Sequence, residues 1–250
     1  MAKHGLVAVP ILILSYIILC LRIKEVKRRA WILTTLAACF VAPRALILHC
    51  KYAFPGLGFN EKKLLQNDEA AEMSICFFVW YLICDCVVGF FFYSNMIGFL
   101  EGWIHHTFYI GYYLYVMYAG CGIAASITFA IETPQIILGL GHVFPRLRAD
   151  RLFGVVFFQF RILYHFWLGL HWLYLKHPLQ RLWPIIFSLL GLHLHWFFKW
   201  ITGLRTRLAR LSSSSRTSEV QHTAISEERG KSVPLTLPSS AHVRRMRRQN

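Results

Sequence analysis

The sequence predicts an all-α, polytopic transmembrane helix bundle of about seven spans, with six as the alternative. Three observations predict it. Of 250 residues, 56% are hydrophobic and only 16% charged, where a soluble domain carries about 25% charged residues. The apolar residues come in runs of about twenty, the length that crosses a hydrocarbon layer of ~30 Å. These runs are continuous, without the period-two alternation of a membrane barrel.

The spans fall at 6–23, 30–49, 72–94, 102–119, 121–143, 152–175 and 181–203. The first reads as a retained anchor. Its apolar run is too long for a signal-peptide core, no small-residue cleavage site follows it, and a basic cluster does. Arg22, Lys24, Lys27, Arg28 and Arg29 place the first loop in the cytosol, and Arg146, Arg148 and Arg151 do the same for loop 146–151. The basic C-terminal tail should share that side, which an odd number of spans allows and six do not. The fourth and fifth spans are divided only by Ala119-Gly120-Cys121-Gly122, so they are two helices or one broken helix. Pro55, Gly56, Gly58 and Asn60 mark turns in the lumenal loop 50–71, and Asp68 is placed to cap the next helix. From about Leu211 the chain is Ser, Thr, Arg and Glu and lacks the apolar content to fold. The chain therefore divides into an anchor helix with a basic loop (1–29), a membrane domain (30–205) and a disordered basic tail (206–250).

A net charge of +15 invites a nucleic-acid reading. The basic residues instead cluster beside spans, as topology signals and anionic headgroups require, so no nucleic-acid partner is expected. The seven cysteines form no disulfide framework. Cys20, Cys39, Cys76, Cys84 and Cys86 sit within apolar runs, and no CxxC spacing signals zinc or redox chemistry.

Ionisable side chains within spans are costly and usually face a bundle interior, so they are the functional clues. They are Arg44, Asp85, His105, His106, Glu132, Arg161, His165, His193 and His195. His106 and Glu132 lie on either side of the Gly120 turn, each ~18–21 Å from it at helical rise. Asp85 lies ~20 Å into the third span and Arg161 ~13 Å into the sixth, with His165 one turn deeper on the same face. These groups from four helices can thus converge on one layer, against the alternative of two unrelated structural pairs. Adjacent His105 and His106 point ~100° apart, so one faces a cavity while the other caps or orients. Arg44 reads as structural, snorkelling to a lumenal interface. His193 and His195 read as packing residues. Tyr109, Tyr112, Tyr113, Tyr115 and Tyr118 crowd the fourth span, either to bind a headgroup or to anchor an aromatic helix at an interface.

Tyr81-Leu-Ile-Cys-Asp85, then His105-His106, then Glu132-Thr133-Pro134, with Phe157-Phe158-Gln159-Phe160-Arg161 beyond, resembles the TLC-domain family over roughly residues 30–205. The resemblance implies a TLC-type bundle around a lipid-accessible cavity, in the endoplasmic reticulum membrane with a cytosolic C-terminus. Ceramide synthases of that family transfer a fatty acyl group from acyl-CoA to a sphingoid amine, with the His pair central. This chain departs from them where their His-Asp cluster follows the pair; here the stretch is Ile131-Glu-Thr-Pro-Gln135. In that respect it looks more like the TLC-domain-containing branch.

Two functions follow. In the first, His105 or His106 acts as base or nucleophile, and Asp85 or Glu132 orients the imidazole. Arg161, His165, Tyr109 and Tyr113 then bind substrate, with acyl-CoA as co-substrate, a sphingoid base or fatty acyl chain as partner, and no metal or other cofactor. In the second, the same groups grip a membrane lipid without turnover, for lipid binding, adjustment of membrane composition or cargo escort. A di-iron hydroxylase would need HxxxH and HxxHH boxes that the sequence lacks. A transporter would suit midplane charges, but no internal repeat supports one.

Overall fold

The computed structural model describes residues 2–52, 64, 68–174 and 178–231. Among them, six helices are long and apolar enough to cross a membrane: Gly5–Arg22, Val26–Tyr52, Glu69–Phe92, Gly122–Val143, Asp150–Tyr174 and Gln180–Arg210. The protein is an all-α, polytopic membrane helix bundle. We name the helices α1 (Ala2–Arg22), α2 (Ile32–Tyr52), α3 (Glu69–Phe92), α4 (His105–Tyr118), α5 (Gly122–Val143), α6 (Asp150–Tyr174) and α7 (Trp183–Lys231). The expected span at 102–119 is helical, because a π-helical turn at Phe99–Ile104 leads into α4. It is not among the six, because its tyrosines and its two histidines lower its mean hydropathy.

Residues Met1–Phe198 form one compact unit and Lys199–Asn250 a second. In the first, α3 lies against α1, α2, α4 and the start of α5, while α2 also packs along α5. The buried stripe of α2, Leu33, Ala37, Val41, Ala45 and Leu48, follows helical spacing. Leu6, Ile11, Leu14 and Ile18 on α1, and Phe90, Phe91 and Phe92 on α3, are exposed. That outward apolar surface suits a hydrocarbon solvent rather than water.

Two glycines make the packing and the turns feasible. A Cβ on Gly139 would run into the Thr35 side chain and stand 3.3 Å from the Thr35 Cα, so α2 and α5 approach closely only because it is absent. Gly120 has φ +70° and ends α4. Its N–H bonds the Met117 carbonyl at 3.1 Å and the Cys121 N–H bonds Val116 at 3.1 Å, which is a Schellman stop. The fourth and fifth predicted segments are therefore separate helices, not one broken helix.

Side chains fix the remaining ends. Asp68 caps α3 as the sequence indicates, accepting from the Ala71 N–H at 3.0 Å. It also accepts from Tyr52 Oη at 2.6 Å and Lys51 Nζ at 3.1 Å, which ties α3 to the end of α2. Tyr52 and Lys51 counter the burial that would raise its pKa, and the net result is an Asp68 carboxyl below its ordinary value. Arg28 donates twice to the Val143 carbonyl, at 3.1 and 2.8 Å, and so closes the end of α5. Arg29 donates to Ile23 and Cys20 at the end of α1. The first basic loop thus caps two helices as well as carrying charge.

In the second unit the helix continues to Lys231, whereas the sequence suggested a disordered tail from 206. Residues 205–231 contain no proline and include Leu, Ala, Arg and Glu, which favour helix. The closing RRMRRQN, and most of the loop expected at 50–71, lie outside the described residues.

Candidate functional site

Three departures from α-helical geometry surround the charged residues. The π-turn Phe99–Ile104 delivers His105-His106, a 3₁₀ segment Phe129–Glu132 delivers Glu132, and a π-stretch Phe158–Tyr164 carries Arg161 and leads into His165. Such interruptions recur at functional positions because they turn side chains and free carbonyls. The 3₁₀ case has a local cause. Pro134 has no N–H for the Ala130 carbonyl, and the Thr133 N–H and Oγ1 both donate to it instead, the hydroxyl at 2.7 Å. The next carbonyl, Ile131, accepts from Arg161 Nε at 3.0 Å.

Arg161 is 4% exposed and satisfied on every side. Its Nη2 donates to Glu132 Oε2 at 2.8 Å, and its Nη1 lies 2.9 Å from His193 Nε2. His193 Nδ1 in turn lies 2.9 Å from His165 Nδ1. Glu132, Arg161, His193 and His165 form one hydrogen-bonded chain across α5, α6 and α7.

A second group centres on Asp85 in α3. Tyr93 Oη donates to its Oδ1 at 2.6 Å, and His106 Nδ1 stands 3.6 Å from its Oδ2. Cys86 Sγ lies 3.5 Å from the same His106 nitrogen, and the Tyr81 ring meets the His106 ring edge-on. His105 turns elsewhere. Its ring lies 4.6 Å from Tyr109 and 6.4 Å from Trp196, and Trp196 reaches His193 at 5.7 Å. The ionisable groups thus form two pairs, Asp85–His106 and Arg161–Glu132, with His105 and Trp196 between them.

A small cleft of about 30 Å³ opens beside the second pair, lined by Tyr109, Tyr112, Tyr113, Ile131, His165 and Ile186 among others. Three of the four residues expected to bind substrate, Tyr109, Tyr113 and His165, face it. The fourth, Arg161, stands behind His193. His105, His106, Asp85 and Glu132 are not part of its lining. Among the described residues no three His, Cys, Asp or Glu side chains converge as metal donors.

Two residues sit differently from the sequence reading. His193 is 1% exposed and joins Arg161 to His165, whereas the sequence suggested simple packing. Its place on the same face as buried Ile186 and Leu190 was the available signal, while His195 is exposed. Arg44 does not snorkel. It donates to Ser74 Oγ at 2.9 Å and the Ala70 carbonyl at 3.0 Å and lies over the Phe40 ring, binding α2 to α3. Tyr93 was not singled out in the sequence, because it carries no charge to mark it, and Tyr112 stood there only as one of five tyrosines in the fourth span.

The fold and these pairs define a polytopic all-α membrane protein with ionisable, histidine-bearing clusters in its interior. Compared with models of known families, with curated proteins and with solved structures, the chain matches none.

Proposed function

We propose that this chain is a lipid-handling membrane protein of TLC type that binds a membrane lipid inside the bundle. One observation carries the reading: a small, apolar, tyrosine-rich cleft of about 30 Å³ has His165 on its wall, and a hydrogen-bonded chain runs from His165 through His193 and Arg161 to Glu132. Small-molecule sites combine these features: a concave apolar lining and a few fixed polar groups. Segment 99–118, at ~1.5 Å per residue, has the length to cross as a seventh span. Seven spans put both basic loops and the C-terminus on the cytosolic side, in keeping with residence in the endoplasmic reticulum.

The test is photo-crosslinking with a diazirine fatty acid in detergent-solubilised full-length protein. Adducts should map to Tyr109–Tyr113 and to 185–189, and excess unlabelled lipid should remove them. Adducts confined to the exposed faces of α1 and α3, and not competed, would overturn the reading.

A second reading, N-acyl transfer from acyl-CoA to a sphingoid base, is favoured by the Asp85–His106 pair. A carboxylate beside one imidazole nitrogen fixes the ring and leaves the other nitrogen to act as base. Microsomes containing the well-expressed chain should then form ceramide above a vector control and lose that activity with His106→Ala. No product would leave binding alone.

A further inference from the structure

Two short connections, 23–31 and 144–149, lie together at the end of the bundle where α1 and α5 stop and α2 and α6 begin. Three contacts fasten them. Arg28 donates twice to the Val143 carbonyl. The Trp31 ring stacks on the His142 ring, with centroids 4.3 Å apart and planes 4° apart. A Cβ on Gly141 would stand 3.3 Å from the Arg148 Cα, so the second connection folds back closely over the end of α5. Residues 22–29 and 144–151 together carry eight lysines and arginines against two acids, Glu25 and Asp150. Both acids are engaged within the patch, Glu25 with Arg28 at 3.5 Å and Asp150 with Arg148 at 2.9 Å. Lys27, Arg146 and Arg151 are exposed and have no acidic partner among the described residues.

We propose that this fastened patch holds the headgroup of an anionic phospholipid, one whose phosphate carries no balancing ammonium. A topology signal needs only cations in a loop. It does not need two loops clasped so that their unpaired cations gather at one place, where each repels the others. A phosphate relieves that repulsion and accepts charge-assisted hydrogen bonds from lysine and arginine. The flanks favour a lipid over free phosphate. Leu21, Phe144, Leu147 and Leu152 are exposed beside the cations. Apolar side chains interleaved with cations suit the boundary between headgroups and acyl chains. At the other end of α2 the charge is balanced instead, since 51–72 carries three lysines against four acids. The proposal goes beyond the lipid held inside the bundle and does not depend on it.

The experiment follows thermal unfolding of the full-length protein in neutral detergent during titration with dioctanoyl phosphatidic acid, dioctanoyl phosphatidylcholine or inorganic phosphate. Phosphatidic acid should stabilise at concentrations at least about tenfold below those needed of the other two. Each cation beside an anionic surface is worth about fivefold in affinity, so combining Lys27→Ser, Arg146→Ser and Arg151→Ser should raise the phosphatidic acid requirement about a hundredfold. Without lipid that variant should unfold no earlier than the wild-type protein, because it loses repulsion and no ion pair. Combining Lys199→Ser, Arg205→Ser and Arg210→Ser removes the same charge from α7 and should leave the requirement unchanged. Equal potency of phosphatidic acid and phosphatidylcholine, or an equal loss in the α7 variant, overturns the patch. Equal potency of inorganic phosphate makes the ligand a free anion and overturns the lipid. Should the loop variant fail to fold, the wild-type ranking and the α7 variant still decide.

Discussion

Arg161 and Glu132 meet at 2.8 Å across α6 and α5, and Arg161 has almost no exposed surface. Burying this pair costs desolvation of both ions, offset in part because the other two Arg161 nitrogens also have partners, the Ile131 carbonyl and His193. Arg161→Met removes the cation and leaves Glu132 charged and His193 without its donor. A loss of about 3–5 kcal/mol is expected, the range for breaking a buried pair. Glu132 is 19% exposed at its side chain, which favours the lower end. Adding Glu132→Gln should recover part of the loss, because the orphaned charge disappears. Unfolding in mixed micelles measures both variants, and a loss below about 1 kcal/mol for Arg161→Met contradicts a structural ion pair.

Tyr93 holds the second group. Its hydroxyl donates to Asp85 at 2.6 Å, and both side chains are buried. Tyr93→Phe keeps the ring packed against Tyr16 and deletes only the hydroxyl. The expected cost is about 1.5–3 kcal/mol, as for a hydrogen bond to a charged group. Asp85→Asn should cost a similar amount, and the double variant much less than the sum, because both changes remove one interaction. Full additivity in that cycle would mean the two residues act independently.

How much of this could be read from the chain depends on what each feature leaves in the sequence. Apolar runs and the Gly120 punctuation gave the helices and their break. Asp68 announced its cap by type and position. Asp85, His106, Glu132 and Arg161 stood out because charge within an apolar run is rare. Their common depth, however, does not determine which partners meet. That depends on helix rotation, and the π and 3₁₀ turns at 99–104, 129–132 and 158–164 shift the rotation by fractions of a turn. A uniform rise of 1.5 Å per residue put these groups at one depth, and the side chains meet there as two pairs, Asp85–His106 and Arg161–Glu132. The helical extension of α7 past 206 was missed for a different reason. Composition argued against a packed core there, but a helix needs only favourable propensity along the chain.

The α2–α5 contact supplies a test of packing alone. Gly139→Val places branched carbons where the Thr35 side chain lies, with the Thr35 backbone only 3.3 Å from the first of them. The backbone cannot yield as a flexible side chain can. A destabilisation of about 1–3 kcal/mol is expected from overpacking. Thr35→Ala in the same chain should relieve part of it by removing the hydroxyl and methyl. Because Thr35 also bonds the Trp31 carbonyl within its own helix, Thr35→Ala by itself is the required control. If Gly139→Val unfolds like the wild-type protein, α2 and α5 do not meet closely at Gly139 and Thr35.

Asp68 gives the structure a pH dependence outside the spans. Burial pushes its carboxyl up, but the Tyr52 hydroxyl, the Ala71 N–H and Lys51 outweigh that, and the native value lies below the ordinary one. A carboxylate depressed in the folded state stabilises fully above its unfolded pKa of about 3.9. The contribution fades as pH falls through the lower, folded value, because both states are then protonated. Thermal unfolding in detergent should show the wild-type protein losing part of its stability on acidification through that window. Asp68→Asn should start lower at neutral pH, having lost the charge-assisted contacts to Lys51 and Tyr52, and should lose less on acidification. The two curves should approach each other in acid. Parallel curves from neutral pH downward would mean that some other carboxylate carries the acid sensitivity, and that Asp68 caps α3 with no charge dependence.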